Sequence, residues 1–244
     1  INLCFKNQLL THMVYILFVS NEKDWATYEA PLRLELDATG LSYVLAREIP
    51  NHLVHYIIYA PPSSIHDFSV FKNLKAVLSL WAGVDHILKS NTLSVPLARM
   101  VNEGLTQGMK EWVLAHVMRY HLGLDTHILG QDGVWKDWLT SPLASERSIC
   151  ILGLGVLGTA CAQALANIGF KVRGWSRTPK AIAAIECYHG IEQLETCLES
   201  TNVIVLLLPK TSATNDIINR KTIKYLADKA IIINAARASL IDEK

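Results

Sequence analysis

Ile149-Cys-Ile-Leu-Gly-Leu-Gly-Val-Leu-Gly158 carries an apolar β-type segment into a glycine-rich turn, and Val156 to Ile168 continues as an apolar helix. This strand–turn–helix context is the one in which a G-x-G-x-x-G pattern signals a dinucleotide site. Gly153 permits the tight turn, Gly155 lets the backbone approach a pyrophosphate, and Gly158 lets helix pack on strand. Val156 and Leu157 open the helix, whose unpaired N–H groups and positive dipole end favour phosphate.

A site for NAD should carry an acidic residue at the end of the next strand, about twenty residues on, for the ribose 2′-hydroxyl. Here that place reads Trp175-Ser-Arg177, with Lys180 close behind. A carboxylate would repel a 2′-phosphate, whereas a hydroxyl and a guanidinium would bind it. The residues therefore point to NADP(H) in preference to NAD(H).

Composition is compatible with one large or two medium domains: 244 residues, 50% of them hydrophobic. With 23 basic and 22 acidic side chains, a net charge of +1 and no basic block, the sequence argues against nucleic acid or an anionic membrane as partner. The apolar run Leu9 to Val19 is too short to span a bilayer. Met13 stands directly before a β-type run and is a candidate start. Cys4, Cys150, Cys161, Cys187 and Cys197 are odd in number and lack metal spacing, so free thiols in a reducing cytoplasm are expected. Neither His52/His55 nor His116/His121 has the Asp, Glu or Cys that a tetrahedral metal site needs, so no metal is expected. His86 is expected to cap the helix after its loop.

Apolar β-type runs recur at Val14–Val19, Ser42–Ala46, Val54–Tyr59, Leu74–Leu80 and Leu97–Val101, separated by helix-like or loop stretches. That alternation suits an open parallel sheet with crossovers. Pro61-Pro-Ser-Ser64 reads as a turn that caps a short helix. Gln107 to Gly123 reads as an amphipathic helix with Met109, Trp112, Val113, His116, Val117 and Tyr120 inward. Four strands are expected in the second half: the one before the glycines, then Lys171–Trp175, Val203–Leu208 and Ala230–Ala235. A doubly wound dinucleotide domain commonly has six.

In order and spacing, several segments together resemble the D-2-hydroxyacid dehydrogenases, and within them the glyoxylate/hydroxypyruvate reductase A group. They are Leu80-Trp-Ala-Gly-Val-Asp85, Met100 to Met109, Gly153 to Gly158, Trp175 to Arg177, Leu207 to Thr211 with Thr214, and Asn234-Ala-Ala-Arg237. The resemblance implies an α/β chain of two parallel-sheet domains with a cleft between them: a flavodoxin-like substrate domain over residues 13–104 and a Rossmann domain, incomplete, over residues 105–244. It implies that Arg237 is catalytic, holding the carboxylate and carbonyl oxygen of a 2-oxo acid, for which a planar guanidinium fork is suited. It further implies that the amides of Ala82, Gly83 and Val84 hold the carboxylate and that Trp81 shapes the pocket. Leu208, Pro209 and Thr214 would line the nucleotide site, and Ala235 and Ala236 would lie near the nicotinamide. A homodimer is implied, with residues 107–138 near its interface.

The same resemblance calls for a Glu–His acid pair well downstream of the arginine, and the sequence given stops seven residues after Arg237. We therefore expect a fragment of the enzyme, inactive by itself. Ala238 stands where the family usually has glycine and would strain the loop if positive φ were needed. Three functions remain open. The first is an NADPH-dependent reductase of glyoxylate, hydroxypyruvate or a similar acid. The second is a catalytically silent nucleotide-binding regulatory module of the same fold. The third is a Rossmann enzyme of other chemistry, such as an amino-acid dehydrogenase, which would need a Lys or Asp catalytic set.

Overall fold

The computed structural model describes residues 13–61, 65–137 and 140–243. The chain divides into two compact units at Val101/Asn102. The first contains β1 (Val14–Val19), α1 (Glu22–Ala38), β2 (Tyr43–Ala46), β3 (Tyr56–Tyr59), β4 (Ala76–Ser79) and β5 (Leu97–Arg99). The second contains α2 (Glu103–His121), α3 (Leu124–Leu129), β6 (Ser148–Leu152), α4 (Val156–Ile168), β7 (Lys171–Ser176), β8 (Glu186–His189), α5 (Leu194–Leu198), β9 (Val203–Leu206) and β10 (Ile231–Asn234).

Each unit is built on one five-stranded, all-parallel sheet. The first runs β2-β1-β3-β4-β5, the flavodoxin-like order. The second runs β10-β9-β6-β7-β8, the doubly wound order of dinucleotide domains, with its reversal between β6 and β9. Parallel strands covered on both faces should be apolar throughout, and β6 and β9 show it: every residue from Ile149 to Leu152 and from Val203 to Leu206 is buried. α2 and α4 cover one face through Val113, Val117, Cys161, Ala162 and Leu165. Trp175, Leu194, Cys197 and Leu198 fill the other.

The second sheet has five strands, not the four expected. β8, Glu186-Cys-Tyr-His189, has too little apolar character to announce itself, and an Arg173–Glu186 ion pair at 3.2 Å ties it to β7. Other expected strands are trimmed. Val54 closes the 3-10 turn Asn51–Leu53 rather than opening β3, and β9 ends at Leu206, two residues early. α2 begins one turn sooner than expected because Asn102 accepts from the amide of Leu105 at 2.7 Å, and Glu103 suits its first turn. On α2, Val113 and Val117 are buried and Met109 packs beside them, but Trp112 and Tyr120 are exposed. No helix forms over residues 65–75; Pro62 to Ser64 and residues 1–12, like Trp138, lie outside the described residues.

Packing lowers the pKa of two histidines. The ring of His121, at the end of α2, meets Phe170 edge-on at 4.9 Å, and burial with the nearby Arg147 charge lowers its pKa. His55 accepts the amide of Tyr15 on Nδ1 at 3.2 Å, and burial with Lys75 lowers it too. A histidine whose folded pKa lies below its unfolded value leaves the unfolded chain binding more protons, so stability falls as pH drops through the unfolded value of 6.5. Urea midpoints should fall between pH 7 and pH 5. They should fall less for His121→Phe; an unchanged slope would mean that folding does not lower the His121 pKa.

Candidate functional site

β6 ends at Leu152, and Gly153 turns the chain at φ +115°, a conformation that side chains rarely adopt. Its amide donates to the Trp175 carbonyl at 2.8 Å, tying the turn to β7. A Cβ at Gly153 would stand 2.7 Å from the Leu207 carbonyl oxygen, just beyond β9. At Gly158, in the first turn of α4, a Cβ would stand 1.8 Å from the Gly153 carbonyl oxygen. Both glycines are thus required by the protein's own packing. Gly155 differs: it is the N-cap of α4, in extended geometry, with nothing within 4 Å of where its Cβ would be. The space above it is open, and no side chain caps α4, so its leading amides are left for a ligand. A pyrophosphate fits that cradle.

Gly174 was not expected to matter. A Cβ there would collide with the Leu154 side chain at 2.5 Å, and Leu154 is part of the glycine turn. Only a glycine on β7 leaves room for it; the signal was the single glycine inside that strand.

The end of β7 sends its residues to different places. The Trp175 ring is buried on the side away from α4, and its Nε1 donates to the Gly190 carbonyl at 2.7 Å. Its contribution to the glycine turn is therefore its backbone carbonyl. Ser176 is buried, and its hydroxyl donates to the Thr178 carbonyl at 2.7 Å, shaping the turn that follows. Arg177 and Lys180 are exposed beyond it, and no carboxylate occurs from Ser176 to Lys180.

Two further loops follow strands at the same end of the sheet. After β9, Leu208 is buried and Pro209 exposed. Thr214 is buried as well: its hydroxyl donates to the Pro209 carbonyl at 2.6 Å and accepts from the Thr211 amide at 2.9 Å. It braces the loop from within. After β10, the Ala235 amide bonds to the Leu206 carbonyl at 3.2 Å, and Ala236 packs on the core. Asn234 clamps the turn: its Nδ2 donates to the Arg237 carbonyl at 2.9 Å, and its Oδ1 accepts from the Ala236 amide at 3.0 Å. That clamping role was not foreseen. Arg237 is exposed, with one guanidinium nitrogen bonded to the Ala236 carbonyl at 3.0 Å. Ala238 opens a 3-10 turn and is not among the positive-φ residues, so the strain expected there is not present.

In the first unit, β4 leads into the loop at Trp81. Ser79 fastens it, its hydroxyl donating to the Trp81 carbonyl at 3.0 Å and accepting from the Trp81 amide at 3.2 Å. Trp81 is 49% exposed, so it is not core. The amides of Ala82, Gly83 and Val84 donate to no group among the described residues, which suits anion capture by backbone N–H groups. His86 stacks on Tyr59 with ring centroids 5.4 Å apart; no helix follows for it to cap.

Thiol chemistry is disfavoured at Cys150 and Cys161. Cys150 and Cys197 are buried with their Sγ atoms 3.3 Å apart, and that contact and burial raise the Cys150 pKa well above the usual thiol range. Burial pushes Cys161 up to about 11. Among the described residues, no group of three His, Cys, Asp or Glu is placed to hold a metal ion.

The family model of the D-isomer specific 2-hydroxyacid dehydrogenase NAD binding domain matches residues 112–244, more than half of the chain. The chain belongs to the D-isomer specific 2-hydroxyacid dehydrogenase family. It is 37% identical over 196 residues to a glyoxylate/hydroxypyruvate reductase A of Serratia proteamaculans (strain 568), the match covering 77% of this chain and 61% of that relative. It thus spans about three fifths of the length of that relative. A D-isomer specific 2-hydroxyacid dehydrogenase from Xanthobacter autotrophicus Py2, solved with NADPH and MES, superposes with a TM-score of 0.82 at 34% identity, covering 94% of this chain and 74% of that one. The NADPH-dependent glyoxylate/hydroxypyruvate reductase of Sinorhizobium meliloti, solved with NADP and sulfate, gives 0.75 at 30% identity, covering 95% and 74%. Family membership disfavours the amino-acid dehydrogenase alternative.

The two glycines at the mouth of α4 should respond differently to alanine. Gly158→Ala forces a Cβ into a backbone carbonyl and should cost about 3 kcal/mol or more. Gly155→Ala meets open space and should cost about 1 kcal/mol, as an N-cap glycine replaced by alanine, while weakening nucleotide binding. Denaturant titration of both variants checks this, and equal costs would refute the assignment.

Proposed function

We propose that the protein reduces a small 2-oxo acid of the glyoxylate or hydroxypyruvate type to the 2-hydroxy acid, with NADPH preferred over NADH. The observation that carries the cofactor choice is the end of β7. Arg177 and Lys180 stand exposed on the turn that Ser176 shapes, with no carboxylate between them. Relatives solved with NADPH or NADP support the same choice, and the Serratia relative's name supports the substrate class.

Bound NADPH would supply the hydride. The amides of Val156, Leu157 and Gly158, uncapped at the start of α4, hold the pyrophosphate. Arg177 and Lys180 neutralise the 2′-phosphate. Leu208 and Pro209 form an apolar wall for the nucleotide, braced by Thr214 through its bonds to Pro209 and Thr211. Ala235 and Ala236 present a small-residue surface to the nicotinamide, held in shape by Asn234. Arg237 orients the substrate, its fork binding the carboxylate and the carbonyl oxygen on which negative charge develops. The amides of Ala82, Gly83 and Val84, which donate to no group among the described residues, take the carboxylate, and Trp81 bounds the side-chain pocket.

We further propose a homodimer formed through α2, α3 and the segment after them. Trp112, Ile128, Leu129, Val134 and Trp135 are all exposed there, Trp135 by 87% and Leu129 by 82%, a large apolar area to leave in water. The cytoplasm is the proposed compartment. No helix among the described residues is long and apolar enough to cross a membrane.

The test is made on the protein isolated from its source. Glyoxylate and hydroxypyruvate should be reduced with NADPH much faster than with NADH. Arg177→Ala should weaken NADPH binding by about 10-fold or more, the worth of one hydrogen bond to a charged group, with little effect on NADH. Arg237→Ala should lower kcat/KM by about 10²–10³-fold, as for loss of an oxyanion donor. NADPH binding with no turnover of any 2-oxo acid would favour the silent nucleotide-binding module instead.

A further inference from the structure

Building on the NADPH preference proposed above, we infer that His189 is a direct contact for the ribose 2′-phosphate, supplied by the strand beside the one that ends in Ser176. β7 and β8 pair in parallel with Trp175 opposite Tyr188 and Ser176 opposite His189. Residues paired across parallel strands project to the same face, and successive residues alternate. The faces are identified by packing. Trp175 and Tyr188 enter the core on the side away from α4, whereas Gly174 borders Leu154 and Cys187 packs with the residues of α4. Ser176 and His189 therefore share the face of α4 and the glycine turn, at the carboxyl ends of strands about 4.8 Å apart.

Backbone bonds set the level of the ring. The Gly190 amide donates to the Ser176 carbonyl at 3.2 Å, and the His189 amide donates to Gln193 Oε1 at 2.9 Å. The ring itself, half-buried, has no hydrogen-bond or ion-pair partner among the described residues. A neutral imidazole donates through one ring nitrogen and an imidazolium through two, so in either form it can bond a phosphate oxygen. The charged side chains in the neighbouring sequence are Arg177 and Lys180 after β7 and Glu192 after β8, and the Glu192 carboxylate lies against Gly190. The ligand chemistry is a phosphomonoester on the ribose, which NADH lacks; His189 thus acts on nucleotide choice rather than on nucleotide binding in general.

The experiment is calorimetric titration of the full chain and its variants with NADPH and with NADH. His189→Ala should weaken NADPH about 3–10-fold, the range for a partly exposed hydrogen bond to a charged group, and leave NADH within about twofold. His189→Gln, which keeps an N–H donor, should recover part of the loss. His189→Val, suited to a strand and without a donor, gives the same readout if alanine perturbs folding. Equal weakening of both nucleotides, or no change in either, while Arg177→Ala still abolishes the preference, overturns the role of His189 and leaves the NADPH assignment standing. A parent chain with no preference for NADPH overturns both.

Discussion

The contact on which the second unit depends is the approach of α4 to the Gly153 carbonyl, closed to every residue except glycine at position 158. A Cβ there would stand 1.8 Å from that oxygen. Because the approach is possible, α4 starts immediately beyond β6 and brings uncapped amides to the carboxyl ends of the central strands. Other close fits keep the turn in place: Gly153 against the Leu207 carbonyl, and Leu154 in the space that Gly174 leaves on β7. Three of the four glycines are thus fixed by the protein's own atoms. Only Gly155 is spared for what lies outside, and that separates the residues that build the cradle from the one that keeps it open.

How far the sequence could be read follows the same division. The β6–turn–α4 unit and β1 were legible because apolar run, turn glycines and helix all agree, and the bounds of β1 and α4 coincide with those observed. β8 was not, since Glu186, Tyr188 and His189 belong to an edge strand that pairs on one side only, and edge position does not demand an apolar run. On α2, Trp112 and Tyr120 fitted the helical period yet are exposed, because period alone cannot tell a core face from a second apolar face. The motif residues could be named from the sequence, but not the hydrogen bonds that each one makes. Asn234 was only part of a pattern until its two bonds showed it clamping the Arg237 turn. Hydrogen bonds of that kind depend on backbone trajectory, which spacing does not encode.

Many of the polar side chains in the loops that follow the strands, each within its own unit, bond their own loops. Thr214 bonds Pro209, Ser176 bonds Thr178, Trp175 bonds Gly190, and Ser79 holds Trp81. In the second unit the first amides of α4 have no side-chain cap, and in the first unit the amides of Ala82 to Val84 donate to no group among the described residues. Backbone donors suit phosphate and carboxylate groups because their positions are set by the fold and need no ordering of long side chains on binding. This arrangement also explains why such a site is recognised by glycines and loop-bracing residues rather than by a cluster of charged ones.

In the function proposed, nucleotide choice could not be set by the first amides of α4, which would treat NADH and NADPH alike; it would fall to the side chains at the ends of β7 and β8. Two unit charges about 4 Å apart interact by about 1 kcal/mol in water and about 4 kcal/mol at an effective dielectric near 20. A carboxylate at position 176 would therefore repel a 2′-phosphate by an amount comparable to the whole benefit of one cation. Its replacement by serine removes the repulsion but adds no charge, and the serine hydroxyl already serves the Thr178 carbonyl. Attraction must then come from neighbours, and because Arg177 and Lys180 are exposed, each acts near the weak end of that range. A strong preference on such a surface would require several modest contributions converging on one phosphate, and the contact inferred for His189, which is paired with Ser176 across β7 and β8, would be one of them.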